Sequence, residues 1–286
     1  MSAALLPLCL GLFSAVTLAA ANVSVKMGRD ILVGRAILSA SAAVLVVPGL
    51  FLVPLPDRAT WLALAAAIPA HIFYQICLIK ALSRGELSLV FPLMRGAAPL
   101  LTAVAAFLLL SEVLAPLAIV GLVIATCAVV AFAIPPSGTQ LRHHPDRTAM
   151  LWALGTAVGI ALYNVADARG VRLAPSPFTF ILWLFVLDAA GVTTLAVVRR
   201  RLQLVETVRT QWRFGVAAGL LSIVSYGSAV YAYTLMETAK VSALRETSVV
   251  WAALMGAVFL KESFGRRRMA AAAALAAGLV LMQFAR

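Results

Sequence analysis

Charge is scarce in this chain. Only 12% of its 286 residues are Asp, Glu, Lys or Arg, 63% are hydrophobic, and the mean hydropathy is +1.01. Soluble domains carry about 25% charged and about 45–50% apolar residues. A water-soluble globule, which needs polar surface all round, is therefore excluded. Acid is scarcer still: 11 Asp and Glu stand against 23 Lys and Arg. A net charge of +12 would point a soluble chain toward nucleic acid. Here the cations gather in short loops between apolar runs, so no nucleic-acid partner is expected and the Lys/Arg bias of membrane proteins accounts for them. Cysteine is nearly absent. Cys9, Cys77 and Cys127 fall in three different apolar runs with no ligand spacing and read as small buried hydrophobes. His143 and His144 sit in a polar linker without a Cys, His or Glu cluster, so no metal centre is expected. The motifs HExxH, GxSxG and GxxxxGK[ST] are all missing, which leaves no signature of a protease, an esterase or a nucleotide-driven pump. Neither enzyme activity nor a cofactor is expected.

What the chain does have is long apolar stretches. Ten are legible, near 3–25, 31–53, 60–82, 87–110, 114–134, 149–168, 177–198, 213–235, 239–260 and 267–285. Runs of about 18–25 residues span a ~30 Å hydrocarbon core as helix. Strands of a membrane barrel would be shorter and polar on one face. The fold class is thus an all-α membrane protein of ten transmembrane helices in the lipid bilayer. The first run, Ala3 to Val25, lacks the basic n-region of a cleavable secretory signal and belongs to the fold.

The two halves resemble each other. Asn22-Val23 recurs as Asn164-Val165 and Gly28 as Gly170, with Leu12, Ala15, Val16 and Ala19 matching Leu154, Ala157, Val158 and Ala161 at the same offset. At a second common offset Arg95 falls on Arg245 and Glu112 on Glu262. Residues 1–135 then form a first five-helix repeat, 136–148 a linker that opens Pro-Pro-Ser-Gly, and 149–286 a second repeat. Five crossings per half invert the second repeat in the membrane, an arrangement of secondary transporters whose substrate sites lie near the midplane. Loops after odd-numbered runs hold most of the Lys and Arg, including Arg199, Arg200, Arg201 and Arg266, Arg267, Arg268. The bias places those loops in the cytoplasm and both termini outside, in a multi-pass cell (inner) membrane protein.

Pro92 and Pro99, then Leu108-Leu109-Leu110-Ser111-Glu112 and Gly121, with Phe259-Leu260-Lys261-Glu262 and Gly278 in the second half, resemble the EamA family of the drug/metabolite transporter superfamily. The likeness extends over essentially the whole chain. Val249 replaces the second proline, and Ser111 and Lys261 stand where the family usually has glycine before glutamate. The resemblance implies export, import or exchange of a small metabolite by alternating access. Helices 1, 3, 4, 6, 8 and 9 would surround the cavity while 5 and 10 pack together. The alternatives are a flippase for a lipid-linked anionic metabolite and a non-transporting sensor. A proton or a counter-substrate is the open second ligand, and the chain would act as a monomer or homodimer.

The candidate site follows from cost. A charge at the centre of a membrane helix costs roughly 2.5–3.5 kcal/mol on insertion scales. Arg95 lies ~12 Å into its run at 1.5 Å per residue, with eight uncharged residues before it. It and Arg245 are expected to bind the substrate's carboxylate or phosphate, since a guanidinium pairs bidentately with either. His71, Tyr74 and Gln75 share a helix face by their spacing and point into the protein. Asn22, Asn164, Tyr163, Tyr226 and Glu246 complete the expected substrate-binding set, with Glu246 either holding an amine or neutralising an arginine. Glu112 and Glu262 are expected to be structural anchors at helix ends. Asp188, mid-run in the seventh stretch, is expected to carry a proton or bond a neighbouring helix.

Overall fold

Helix is the only regular structure among the residues that the computed structural model describes: 5–26, 31–84, 87–133, 147–251, 254–255 and 266–285. In chain order the helices are α1 (Leu5–Lys26), α2 (Ile31–Val46), α3 (Arg58–Arg84), α4 (Leu87–Leu110), α5 (Pro116–Ala133), α6 (Arg147–Leu173), α7 (Pro177–Ala232), α8 (Thr238–Glu246) and α9 (Arg266–Phe284). Five stretches are long and apolar enough to cross a membrane: Val33–Leu52, Arg58–Arg84, Leu93–Leu110, Arg147–Leu173 and Gly215–Ala232. Four shorter apolar helices accompany them: Leu5–Ala21, Pro116–Ala131, Pro177–Gly191 and Met269–Phe284. The run expected at 239–260 is described only in part, and Glu262 lies outside the described residues.

The distribution of side chains is that of a lipid-solvated protein. Ala15, Ala67, Ala98, Ala118, Ala153 and Ala157 are fully buried, as are Ser14, Thr60 and Thr102. Large residues such as Leu62, Val104, Phe107, Leu108 and Val120 are exposed. Water would drive the opposite arrangement. In lipid the large apolar groups gain nothing by leaving the surface, and small residues let helix backbones approach. Helices α5 and α9 approach backbone to backbone. A methyl at Gly121 would lie 2.5 Å from the Gly278 carbonyl oxygen, and one at Gly278 would lie 2.7 Å from the Ala125 nitrogen. The expected packing of the fifth and tenth runs is therefore present.

Local chemistry sets the helix ends. Asp57 caps α3: its Oδ1 accepts from the Thr60 N–H at 2.8 Å and from the Thr60 hydroxyl at 2.6 Å. Those bonds hold its carboxyl below the usual range. Pro48 follows the last α-turn of α2, whose chain continues to Leu52 as a 3-10 helix instead of the α-helix expected to residue 53. Pro116 and Pro177 open α5 and α7, where a missing N–H leaves nothing unpaired. Helices α3 and α6 run longer than the expected 60–82 and 149–168, because their polar ends can stay helical outside the hydrocarbon.

The expected loop at 199–212 is also helical, and α7 is continuous over 56 residues. A straight helix of that length would hold its ends ~80 Å apart. Yet Phe178 stacks on Tyr231 at 5.7 Å, Phe185 meets Tyr226 at 6.2 Å, and Ile181 touches Gly227. The contacts run antiparallel, so α7 doubles back on itself. Its apolar arms, Pro177–Gly191 and Gly215–Ala232, correspond to the seventh and eighth runs. Arg172 closes the second arm, donating to the carbonyls of Tyr233 at 2.7 Å and Met236 at 3.2 Å, where a cation suits a helix C-terminus.

The chain forms two compact units, each built from separated segments. Unit 1 comprises Met1–Ile72 and Ala166–Met236, and unit 2 comprises Phe73–Val165 and Glu237–Arg286. In unit 1, α1 and α2 pack on α7. A methyl at Gly215 would strike Ile37, and one at Gly219 would crowd Ser41. In unit 2, α4 packs on α5 and α8.

Candidate functional site

Unit 2 gathers the arginines. Arg95 on α4 donates from Nη1 to Glu246 Oε1 at 3.3 Å, across 151 positions of sequence. Glu246 and Arg245 are the last two residues of α8, and both are buried. The next residue, Thr247, caps that helix in a tightened turn, its N–H and hydroxyl both bonded to the Leu244 carbonyl. Arg245 is near enough to both Arg95 and Glu246 to act on them electrostatically, and so are Tyr74 and Tyr163 to Arg95. The two tyrosine rings meet edge to face at 5.1 Å. Gly159 permits that contact, since a methyl there would lie 2.8 Å from the Tyr74 Cα. The result is two guanidiniums and one carboxylate beside an aromatic pair. Glu246 Oε2 is buried without a hydrogen-bond partner.

Glu246, expected either to hold an amine or to neutralise an arginine, is paired with Arg95 in this conformation. Asn164 is fully buried and donates to Thr102 Oγ1 at 3.2 Å and Ser242 Oγ at 3.3 Å. Those bonds tie α6 to α4 and α8. Gln75 is buried with its Oε1 unpaired. The Asn22 side chain lies outside the described residues. Glu112 anchors the unit: its two oxygens accept from the Thr238 N–H at 2.7 Å and the Thr238 hydroxyl at 2.8 Å. A carboxylate there satisfies an orphan donor at the start of α8 and complements the helix dipole.

Unit 1 holds a second polar cluster. His71 lies midway along α3, two residues after Pro69, whose ring frees a helix carbonyl. Its Nε2 is 3.0 Å from Asp167 Oδ2 and 3.4 Å from the Tyr226 hydroxyl. That hydroxyl also donates to Asp167 Oδ2. Asp167 is fully buried, and its Oδ1 has no partner. His71 and Tyr226 are among the expected site residues, whereas Asp167 is not. In sequence it stands beside Arg169 and Arg172 at the end of an apolar run and looks like loop charge. The signal that could have found it is spacing: Asn164 and Asp167 are three apart on one helix and share a face. Among the described residues no group of three or more His, Cys, Asp and Glu could hold a metal.

Residues 147–284 match the model of the EamA-like transporter family. The match contains Tyr163, Asn164, Asp167, Tyr226, Arg245 and Glu246, so the EamA-like segment supplies residues to both clusters. The whole chain is also similar to a protein of known crystal structure, with 18% identity over 98% of this chain and 96% of that one, at a TM-score of 0.76. At that identity the likeness shows the fold alone. No curated protein gives a significant match. The EamA-like match and the membrane-crossing helices support a multi-pass membrane protein, and a transporter family implies a small-molecule substrate.

Proposed function

We propose that the protein is a secondary transporter that moves a small carboxylate- or phosphate-bearing metabolite by alternating access, as an exporter or exchanger. An amino acid or related zwitterion is the narrower choice. The observation that carries it is the charge set in unit 2, where Arg95 and Arg245 gather about Glu246 within electrostatic reach. An incoming carboxylate would pair with the arginines through charge-assisted bonds. The unpartnered Glu246 Oε2 would accept an ammonium, and the Tyr74–Tyr163 pair would receive an apolar or aromatic part. The ten-helix inverted-repeat arrangement, with repeats over 1–135 and 149–286 and both termini outside, is part of the same proposal. It is supported by the recurrence of Arg95 and Glu112 as Arg245 and Glu262, and by the Lys/Arg bias of the loops.

The test is counterflow in proteoliposomes with amino acids, other organic anions and neutral analogues as solutes. Wild type is expected to exchange an anionic or zwitterionic solute. Arg95→Gln should abolish that exchange and Arg95→Lys should retain part of it. Anion exchange left intact by Arg95→Gln would refute the proposed role.

A further inference from the structure

The cluster in unit 1 is not needed to hold an anion, and its bonding is unlike that of an anchor. Glu112 shows what a structural carboxylate looks like in this protein: both oxygens are engaged by one capped residue. Asp167 is more deeply buried than most of the chain, yet His71 and Tyr226 both address Oδ2 while Oδ1 has no partner. A buried carboxylate costs several kcal/mol of desolvation unless a charge or a proton offsets it. The group beside it, an imidazole, is the one side chain that gains and loses charge near neutral pH without perturbation.

We propose that His71, Asp167 and Tyr226 form a proton-binding site that loads and unloads during the transport cycle. A carboxylate only accepts hydrogen bonds, so His71 Nε2 carries a hydrogen toward Asp167 Oδ2. The incoming proton adds to Nδ1, giving an imidazolium whose Nε2–H stays on the carboxylate. Release returns the neutral ring. Tyr226 holds the acceptor oxygen in place in both states and stacks edge to face on the His71 ring at 5.7 Å. The other titratable groups on the packed elements are placed differently. Arg169 is exposed, Arg172 is engaged by the carbonyls at the end of α7, and Tyr231 stacks on Phe178. Arg35 on α2 is two residues before Ile37, which packs at Gly215, about 16 Å along the second arm from Tyr226. Asp57 is held by Thr60 at the start of α3, and Asp188 is half-buried on the first arm between Phe185, which meets Tyr226, and Gly191, which packs on Ile72.

The proton site can be tested without a known substrate, while its place in the cycle rests on the transporter proposal. In full-length protein carrying His143→Gln and His144→Gln, His71 is the sole histidine, and its ring nitrogens can be followed by 15N NMR across about pH 5–8. One titration is expected. Asp167→Asn should weaken proton binding tenfold or more, and Tyr226→Phe should strengthen it several-fold. Tyr226→Phe keeps the proposal testable where Asp167→Asn fails to fold. A flat profile, or a midpoint indifferent to both Asp167→Asn and Tyr226→Phe, overturns the site. A pH dye trapped in proteoliposomes reports coupling. Solute counterflow with no proton movement overturns the coupling and leaves the transporter proposal standing. Absence of counterflow refutes the transporter proposal, while the titration still decides the site.

Discussion

Glu246→Gln isolates the buried charge set with little change of shape. At 3.3 Å, unit charges attract by about 5 kcal/mol at an effective dielectric near 20. Desolvation of both groups cancels much of that gain, so the pair contributes little net stability while intact. Removing one partner is different, because the other charge stays buried: the expected cost is roughly 3–5 kcal/mol. Here the loss is compounded, since Arg245 also acts on Glu246 and repels Arg95. Unfolding of the protein in mild detergent, followed by tryptophan fluorescence, measures it. Arg95→Gln with Glu246→Gln should be less destabilised than Glu246→Gln alone, with a coupling of about 2–3 kcal/mol. Added acetate should stabilise Glu246→Gln more than wild type, because the anion takes the vacated place. A Glu246→Gln protein within about 0.5 kcal/mol of wild type, or strictly additive single changes, would refute the argument.

Two further changes probe the packing. Ser111 has φ 56°, a left-handed conformation that costs a residue with a Cβ roughly 1–2 kcal/mol, so Ser111→Gly should raise stability by roughly 1 kcal/mol in the same unfolding assay. Gly121→Val should destabilise by roughly 1–3 kcal/mol, because its Cβ alone meets the Gly278 carbonyl and the Met282 nitrogen at 2.5 and 2.6 Å.

The membrane class and most helices are legible in the sequence because hydrocarbon imposes one requirement, an apolar run with its backbone bonds closed internally. Arg95, Arg245 and His71 stand out for the same reason: each is costly where it lies. What escapes a linear reading is pairing. Arg95 and Glu246 are 151 positions apart, and only the fold shows that the acid serves the arginine. Asn164 is conspicuous as a polar group in an apolar run, but its bonds to Thr102 and Ser242 depend on three helices at once. Asp167 was hidden by its basic neighbours, since charge at the end of a run resembles a loop. The polar stretch between the arms of α7 misled in the opposite direction. Its composition suggests a loop, yet residues such as Arg, Leu, Gln and Glu are good helix formers wherever water can solvate them.

The interleaving of the two units sets an order on synthesis. Unit 1 requires residues up to Met236, although its first segment ends at Ile72. Unit 2 requires Glu237–Arg286 as well as the segment from Phe73. At ~5–20 residues per second, the opening helices wait roughly 8–30 s in the bilayer before their partners emerge from the ribosome. For most of that interval Arg95 and His71 are present while Tyr226 and Glu246 are still missing, and Asp167 arrives only part-way through. The nascent chain must therefore carry Arg95 through insertion before the acid that pairs with it exists.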